Sequence, residues 1–190
     1  MNKNSEIKDA ASVILIRNRK SNPSVLMGQR SKNASFMPNK FVFPGGAVDE
    51  NDFLVKSFKQ LNGNCTARMT YKCNKDLVFA LSVAAIRELF EETGIILGCK
   101  RKWTGVIPPE WKPIANLGLV PDASKFKFVF RAITPPGRPR RFDARFLYLD
   151  ADTLSEEINL DDFSGASNEL SHLQSGSYTH LRAHETEYDL

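Results

Sequence analysis

The sequence predicts an α/β fold in which a mixed β-sheet packs against a long helix. Short apolar runs rich in β-branched residues predict strands, and a longer stretch with helical spacing lies between them. Strands on both sides of one long helix are typical of an α/β sandwich. The predicted strands cover residues 11–16, 25–29, 41–43, 126–133 and 141–149.

The predicted helix covers residues 76–93 and ends before Gly94, a residue that suits a left-handed C-terminal cap. Its spacing predicts one apolar side and one acidic side. The apolar side comprises Phe79, Val83, Ile86 and Phe90, and the acidic side comprises Glu88, Glu91 and Glu92.

The three glutamates stand at positions i, i+3 and i+4, so they project from one arc of the helix. Like charges at this spacing destabilise a helix by about 0.2 to 0.5 kcal/mol per pair unless a cation offsets them. The pattern therefore indicates a candidate site for a divalent metal. The alternative is a solvated helix face on which Arg87 and Glu91 form an ordinary i, i+4 ion pair.

This stretch resembles the second half of the Nudix hydrolase signature, Arg-Glu-aliphatic-x-Glu-Glu-x-Gly-aliphatic. The fixed positions are filled in order by Arg87, Glu88, Leu89, Glu91, Glu92, Gly94 and Ile95. Upstream, residues 43–46 read Phe-Pro-Gly-Gly, as expected of the loop that precedes the Nudix helix.

The first half of the signature departs from the family pattern. Six residues after Gly46 stands Asp52 in place of the usual Glu, and 34 residues instead of seven separate it from Arg87. The chain therefore carries an insertion at about 52–75, for which we predict a short helix over 53–61 followed by a polar loop. Asp49 and Asp52 are possible substitutes for the glutamate that usually braces the loop against the helix.

The resemblance implies a Nudix-like α/β/α sandwich with a mixed β-sheet, covering residues 8–176. Flanking segments such as 134–146 are similar to the interrupted-box branch that includes coenzyme A diphosphatases. Residues 177–190 resemble a translated sequencing adapter, so we expect a non-native tail. Residues 169–173 look like the approach to a strand, and we expect the domain to lack its C-terminal strand and helix.

The resemblance also implies Mg²⁺ or Mn²⁺ as cofactor, with Glu91 and Glu92 as the leading metal ligands. Glu88 either joins them or helps to activate the attacking water. Arg87 has two possible roles, holding the carboxylates in place or contacting a phosphate, and we favour the first. Gly45 and Gly46 would shape the loop at the substrate.

Two further arginines are candidates for substrate binding. Arg141 and Arg145 lie in a segment, 138–145, that is rich in basic residues and could guide an anion. Asp143 and Arg145 share one face of a predicted strand, so an Asp–Arg lattice is the alternative role.

The leading hypothesis for function is metal-dependent hydrolysis of the diphosphate bond in a nucleoside diphosphate linked to another group. Coenzyme A or acyl-coenzyme A is the preferred substrate, with NADH and ADP-ribose as alternatives. A noncatalytic Nudix-like ligand sensor is a different class, but retention of all three glutamates favours catalysis. We expect no nucleic-acid partner, because no aromatic–basic repeat accompanies the net charge of +4.

Composition limits the class of protein and the cellular location that can be expected. With 190 residues, 42% of them hydrophobic and 25% charged, the chain fits one globular domain. It has no apolar run of the roughly 20 residues that span a membrane, and three cysteines without zinc-ligand spacing fit reduced thiols. We therefore expect a cytoplasmic protein that acts on a small molecule and has no membrane partners. The sequence is also compatible with a homodimer.

Overall fold

The computed structural model describes residues 6–33, 38–56, 58–154 and 170–177, the last seven by their backbone alone. Within these ranges, most strands form one large mixed sheet and two form a small sheet. The strands are β1 (Ile7–Arg17), β2 (Ser24–Arg30), β3 (Phe41–Val42), β4 (Gly45–Ala47), β5 (Gly98–Lys100), β6 (Leu119–Pro121), β7 (Lys127–Ile133), β8 (Arg141–Asp150) and β9 (Leu170–Ser177). The α-helices are α1 (Gly63–Met69), α2 (Lys75–Thr93) and α3 (Lys112–Asn116), and 3-10 helices cover Glu50–Leu54, Pro109–Trp111 and Ala151–Thr153.

The large sheet is mixed because its central strand, β1, has both parallel and antiparallel neighbours. β1 runs parallel to β8, in register from Ile7 opposite Arg141 to Ile16 opposite Asp150. Its other edge is antiparallel to β2 and β4, and the main strand order is β3-β2-β1-β8-β7. A parallel pair requires a crossover connection, and α2 lies within the one between β1 and β8. The predicted α/β class is confirmed.

One edge of β1 is divided between two strands. β4 pairs with the first half of this edge, where Gly45 is opposite Ser12, and β2 pairs with the end of β1. Between them the chain crosses at Pro44, whose carbonyl accepts a hydrogen bond from the Val13 N–H at 2.8 Å. The two glycines, predicted to lie in a loop, belong to a short strand, because the backbone of β1 supplies their pairing partners.

The bounds of α2 follow from its caps. The side chain of Asn74 accepts a hydrogen bond from the Leu77 N–H at 2.8 Å, which satisfies a donor of the first turn. Gly94 adopts a left-handed conformation with φ of 77° and ends the helix, its N–H donating to the Phe90 carbonyl. The prediction of a helix over 76–93 is confirmed to within one residue.

The prediction that α2 has one buried side was incomplete. Val83 and Ile86 are fully buried as expected, whereas Phe79 and Phe90 are only half-buried. Glu92, on the predicted acidic side, is 2% exposed. The helix is enclosed because it contacts β1, β4, α1 and the 3-10 helix at Glu50–Leu54. Sequence periodicity cannot show that the acidic side of α2 is also covered, because the covering elements come from the insertion and from the loop before it.

The insertion has a different structure from the predicted one. The helix expected over 53–61 is wrong: a 3-10 helix ends at Leu54 and α1 begins at Gly63. The intervening chain is fixed by hydrogen bonds in which the Lys59 N–H donates to Pro121 O and the Lys59 carbonyl accepts from Ala123. The insertion belongs to the hydrophobic core, to which it contributes the buried residues Val55, Phe58, Leu61, Cys65 and Met69.

Three short elements after α2 were not predicted. β5 and β6 form an antiparallel pair, and α3 lies between them in the chain. Each has only three to five residues, which is too short for a period of 2 or 3.6 to be visible in the sequence.

The C-terminal segment joins the sheet. The approach to a strand predicted at 169–173 continues as β9, which pairs antiparallel with β2. The sheet therefore contains a C-terminal strand, which the prediction of a domain lacking one did not anticipate. The acidic surface segment predicted at 155–162 and nearly all of the predicted non-native tail lie outside the described residues.

The two faces of the sheet differ in burial. Residues of β1 that face α2, such as Ala11 and Val13, are fully buried. Residues that face the other way, such as Ser12 and Ile14, are half-buried. β8 alternates in the same register, with Leu147 and Leu149 facing the helices and Phe142, Ala144, Phe146 and Tyr148 on the other face.

Two expectations from composition can be compared with the structure. Cys65, Cys73 and Cys99 are free cysteines. Within the described ranges, no helix is both long enough and apolar enough to cross a bilayer.

Candidate active site

The centre of the candidate site is the guanidinium group of Arg87. Its Nε and Nη2 donate to the two carboxylate oxygens of Asp52, each at 3.0 Å. Arg87 is 8% exposed and Asp52 is 0% exposed, so this bidentate ion pair lies in the protein interior. The ion pair connects the C-terminal half of α2 to the 3-10 helix that follows β4.

Asp52 reaches this position because of a local capping box. The Asp49 side chain accepts from the Asn51 N–H, and the Asp52 side chain accepts from the Asp49 N–H at 2.8 Å. Both aspartates proposed as substitutes for the missing glutamate are therefore used, in different ways. Asp49 caps the 3-10 helix, and Asp52 braces Arg87.

The ionisation of this pair reflects its burial. Burial raises the pKa of the Asp52 carboxyl, which the hydrogen bond and charge of Arg87 partly oppose. Burial alone would lower the pKa of Arg87, but the hydrogen bond and charge of Asp52, with the charges of Glu88 and Glu91, raise it above its ordinary value. The guanidinium therefore stays charged.

The third nitrogen of Arg87 holds two of the predicted metal ligands. Nη1 donates to Glu88 Oε1 at 2.8 Å and to Glu91 Oε2 at 3.1 Å. Nη2 also donates to the Ala47 carbonyl at 3.0 Å, which ties β4 to the helix. These contacts are those of a residue that positions carboxylates, the role favoured for Arg87 from sequence.

Glu92 is held separately. Its Oε2 accepts a hydrogen bond from the Gly45 N–H at 2.8 Å, and the side chain is almost wholly buried. This bond links the last turn of α2 to the first residue of β4.

The two glycines of β4 are required by close approach of the backbone to its neighbours. A Cβ atom at Gly46 would overlap the carboxylate of Glu88, and one at Gly45 would overlap the Ala11 carbonyl and the Ser12 backbone. Sequence analysis placed these glycines at the substrate. The structure places them in contact with the acidic residues of α2 and with β1.

Glu91 is the most accessible of the three glutamates, with 38% of its side chain exposed. Burial raises the pKa of Glu91, Arg87 opposes this effect, and the charges of Asp52 and Glu110 add to the increase. Glu110, in the 3-10 helix Pro109–Trp111, is thus an acidic neighbour that sequence analysis missed. No spacing rule relates it to the signature, because it approaches only through the tertiary fold.

The donor set can be compared with what a divalent cation requires. Mg²⁺ and Mn²⁺ prefer oxygen ligands, and carboxylates from two adjacent helical turns supply them. Among the described residues, no three His, Cys, Asp or Glu side chains converge on one point, because Arg87 and Gly45 hold the carboxylates of α2. Glu88 and Glu91 share a single nitrogen, Nη1 of Arg87, as partner, so their carboxylates lie close to each other. The residues present fit a hard divalent cation in donor type and charge.

The two arginines predicted to bind substrate are in β8, and their described partners are groups other than these glutamates. Arg145 is 2% exposed and its Nη1 forms ion pairs with Asp9 and Asp143. Arg131 pairs with the same Asp143, which completes the Asp–Arg lattice considered as the alternative role. With its guanidinium buried among these partners, Arg145 is not placed to contact a phosphate. Arg141 is half-buried, and its Nε donates to the Thr134 carbonyl at 3.2 Å.

An open cleft of about 630 Å³ adjoins the site. Arg87, Glu88 and Phe53, the last from the insertion, are among its lining residues. Its wall combines apolar groups with an excess of acidic ones, so it suits an uncharged group better than a second phosphate. The remaining lining residues are Glu6, Ile7, Lys8, Asp9, Ala47, Val48, Asp49, Glu50 and Leu77.

The chain has relatives among known proteins, although no family model matches it. A Caenorhabditis elegans protein that carries the name nudix hydrolase 7 is 33% identical over 159 residues, which cover 76% of this chain and 45% of that protein. An acyl-coenzyme A diphosphatase of Xenopus laevis is 37% identical over 103 residues, covering 43% of this chain and 27% of that enzyme. The chain thus spans less than half the length of the curated relatives it matches.

The fold has a counterpart among solved structures. The crystal structure of a NUDIX hydrolase from Alicyclobacillus acidocaldarius superposes with a TM-score of 0.70 and 24% identity, covering 98% of this chain and 86% of that one. This likeness shows the fold. Combined with the sequence relatives and with the Arg87–Glu92 segment packed against a Gly-Gly strand, it shows that the chain belongs to the Nudix hydrolase superfamily.

Proposed function

We propose that this protein is a metal-dependent pyrophosphohydrolase that cleaves the diphosphate bond of a nucleoside diphosphate linked to another group. The observation that carries the proposal is the gathering of carboxylates around Arg87. Asp52, Glu88 and Glu91 all contact this one guanidinium, and Glu92 accepts from the nearby Gly45 N–H. Several carboxylate oxygens from adjacent turns of one helix are the kind of donors that Mg²⁺ and Mn²⁺ prefer.

In this proposal Glu91 and Glu92 hold Mg²⁺ or Mn²⁺. Nudix hydrolases generally use divalent ions. When bound, such an ion neutralises charge on the diphosphate and lowers the pKa of a coordinated water. Glu91, the more exposed of the two, would exchange its contact with Arg87 for the ion, whereas Glu92 is held by its hydrogen bond to Gly45. Glu88 either completes the ligand set or accepts the proton of the attacking water.

The role assigned to Arg87 is positioning. Its Nε and Nη2 are occupied by Asp52 and Ala47, so the group does not move when Glu88 or Glu91 changes partner. The brace keeps the glutamates on the side of α2 that faces β4. A phosphate-binding role would require an exposed edge, and Arg87 is 8% exposed.

For the substrate, we propose coenzyme A or an acyl-coenzyme A. Similarity to the Xenopus laevis acyl-coenzyme A diphosphatase supports this choice. The cleft beside Glu88 adds a physical argument, because apolar groups such as Ile7, Phe53 and Leu77 suit an uncharged arm attached to the diphosphate. NADH and ADP-ribose are the alternatives within the same reaction class.

A substrate panel tests the proposal. Purified protein with Mg²⁺ or Mn²⁺ is incubated with coenzyme A, an acyl-coenzyme A, NADH and ADP-ribose, and products are separated by chromatography. We expect cleavage between the two phosphates, fastest for a coenzyme A derivative and absent with EDTA. Glu91→Gln serves as the inactive control, and Asp76→Asn, an exposed acid on the same helix, as the matched active control.

The outcomes separate the classes of function. Preference for ADP-ribose or NADH would change the substrate and keep the reaction. Binding of these compounds without turnover, in the presence of either ion, would show a ligand sensor and overturn the enzymatic proposal.

A further inference from the structure

The 3-10 helix at Glu50–Leu54 places two consecutive side chains in different surroundings. Asp52 is fully buried against Arg87, whereas Phe53 is 41% exposed. Phe53 is the first of the 34 residues that separate Asp52 from Arg87, so it belongs to the insertion in the signature. Its side chain is one of those that line the cleft. The insertion therefore contributes to the candidate active site as well as to the hydrophobic core.

Phe53 shares the cleft with residues proposed for catalysis. Arg87 and Glu88 line the same cavity of about 630 Å³, a volume within the roughly 300 to 1,000 Å³ typical of small-molecule sites. A substrate whose diphosphate lies at Glu88 can therefore extend towards Phe53 inside one concave space. No second groove is needed to connect the two residues.

The apolar residues that line the cleft differ in how much of their surface is already used. Val48 and Leu77 pack against the hydrophobic core. Ile7 and Phe53 are 42% and 41% exposed. Because these fractions are similar and phenylalanine is the larger residue, Phe53 offers more accessible apolar surface than Ile7. A ligand that covers this surface gains free energy from its removal from water.

The backbone that carries Phe53 is held by the brace of Arg87. Asp52 accepts from the Asp49 N–H at 2.8 Å and forms the bidentate ion pair with Arg87. Arg87 in turn donates to Glu88 at 2.8 Å. These bonds fix the location of residue 53 relative to Glu88, and a preorganised contact binds a ligand at a lower entropy cost.

The charges of the cleft indicate which kind of group would contact Phe53. Among the lining residues, acidic side chains are more numerous than the basic Lys8 and Arg87. A further phosphate is therefore disfavoured here, whereas an uncharged chain with apolar groups is not. The acidic lining residues are Glu6, Asp9, Asp49, Glu50 and Glu88.

We infer that Phe53 is a specificity-determining residue that binds the uncharged arm of a coenzyme A substrate. This inference rests on the proposed function and deepens it, because it assigns recognition of the arm to the insertion in the signature. The pantetheine arm combines amide and methyl groups without charge, so its apolar part can cover the Phe53 ring. ADP-ribose carries a hydroxyl-rich sugar in place of this arm and would gain little from the ring.

Binding of 4′-phosphopantetheine and of inorganic phosphate, measured by calorimetry on the full chain with Mg²⁺, tests this inference. Only the first probe carries the arm, and neither contains a phosphoanhydride, so no turnover is involved. We expect wild type to bind 4′-phosphopantetheine more tightly than phosphate. Phe53→Ala should weaken 4′-phosphopantetheine binding roughly 5- to 30-fold, because apolar contact area is lost, and should leave phosphate binding unchanged. Phe53→Leu, which keeps an apolar side chain, should retain most of the affinity.

Leu54→Ala is the matched control, because Leu54 is 48% exposed in the same 3-10 helix and is not among the residues that line the cleft. It should bind both probes as wild type does. Urea titration of each variant checks that the brace between Asp52 and Arg87 is intact. Equal affinity of Phe53→Ala and wild type for 4′-phosphopantetheine would overturn the inference. An equal loss for phosphate, or a wild type that does not distinguish the two probes, would overturn it as well.

The inference and the proposed function can fail separately. Binding of 4′-phosphopantetheine that depends on Phe53, in a protein that hydrolyses no member of the substrate panel, would keep the arm site and remove the enzyme. Hydrolysis of coenzyme A with a KM unaffected by Phe53→Ala would keep the enzyme and remove the arm site. If both proposals hold, Phe53→Ala should raise KM for coenzyme A more than it lowers kcat.

Discussion

Arg87 and Arg145 are both buried arginines surrounded by carboxylates between the sheet and its covering helices. Arg145 pairs with Asp9 and Asp143, and Asp143 also pairs with Arg131, so two positive charges meet two negative ones. Arg87 alone contacts three carboxylates. In the first cluster two arginines contact two carboxylates, whereas in the second three carboxylates contact one arginine, which is the arrangement proposed to attract a divalent cation.

The same contrast appears in the pKa shifts. Burial acts to raise the pKa of Asp143, but the hydrogen bond from Arg131 and the charges of Arg145 and Arg131 lower it below the ordinary value. In the Arg87 cluster the carboxylates compete for one guanidinium, and burial raises the pKa of Glu91. Buried arginine–carboxylate contacts therefore differ between the two clusters in how many carboxylates share one guanidinium.

The largest expected effect is on catalysis. Glu92→Gln keeps an oxygen that can accept from Gly45 but loses the charge needed to hold a cation. We expect kcat to fall at least about 100-fold on the preferred substrate, with an unchanged circular dichroism spectrum. Asp143→Asn, the corresponding change in the Arg145 cluster, should leave kcat near wild type. Similar kcat losses in both variants would contradict the proposal that only the Arg87 cluster takes part in catalysis.

The next effect is on stability. Asp52→Ala removes the partner of Arg87 Nε and Nη2 and leaves a buried charge without its brace. We expect the free energy of unfolding to fall by about 3 to 5 kcal/mol in urea titrations. Asp76→Ala, on the exposed start of α2, should cost no more than about 1 kcal/mol. A loss at Asp52 as small as that at Asp76 would mean that the brace is unimportant.

Ligand linkage gives a smaller effect. If the Arg87 cluster binds a divalent ion, Mn²⁺ at 100 times its Kd should stabilise the fold by about 2.7 kcal/mol, measured as a rise in Tm. EDTA should reverse the rise. Glu91→Gln combined with Glu92→Gln should abolish it, whereas Asp143→Asn should retain it. A rise that survives the double glutamate substitution would place the ion elsewhere.

The smallest expected effect is on the pH dependence of stability. Because the folded-state pKa of Asp143 is lowered, its ionised form stabilises the fold at pH values above the ordinary aspartate pKa of 3.8. That contribution is lost as pH falls below 3.8 towards the folded-state value. Asp143→Asn should therefore show a shallower loss of Tm in this acidic range than wild type. Parallel pH curves would contradict the shift.

Sequence patterns predicted the long elements well. The structure agrees with the predicted helix over 76–93 and with the α/β class. It also agrees with the four predicted strands that correspond to β1, β2, β7 and β8. These elements have enough residues for periodicity and caps to be visible. β5, β6 and α3 were missed because their short lengths carry no period. The helix expected over 53–61 was wrong because Lys59 hydrogen-bonds to Pro121 and Ala123, distant in sequence, instead of within a helix.

For the site, the spacing of Glu88, Glu91 and Glu92 along the chain was sufficient to place them on one helix. Spacing left two candidates for the brace, Asp49 and Asp52, and the capping box decided between them. It also offered two roles for Arg145, between which burial decided. Glu110 could not be found from the sequence, because its approach to Glu91 depends on how the chain returns after α2.

The sequence by itself determined the order of strands and helix and the acidic signature, because hydrophobic period, caps and residue spacing are local properties of the chain. Only the tertiary structure decided that three carboxylates contact Arg87, whereas Arg145 and Arg131 together contact two. It also decided that the insertion belongs to the core. Within the insertion, it placed Phe53 in the same cleft as Glu88. Ion pairing, burial and the lining of a cleft depend on neighbours distant in sequence, so they exist only once the sheet has formed.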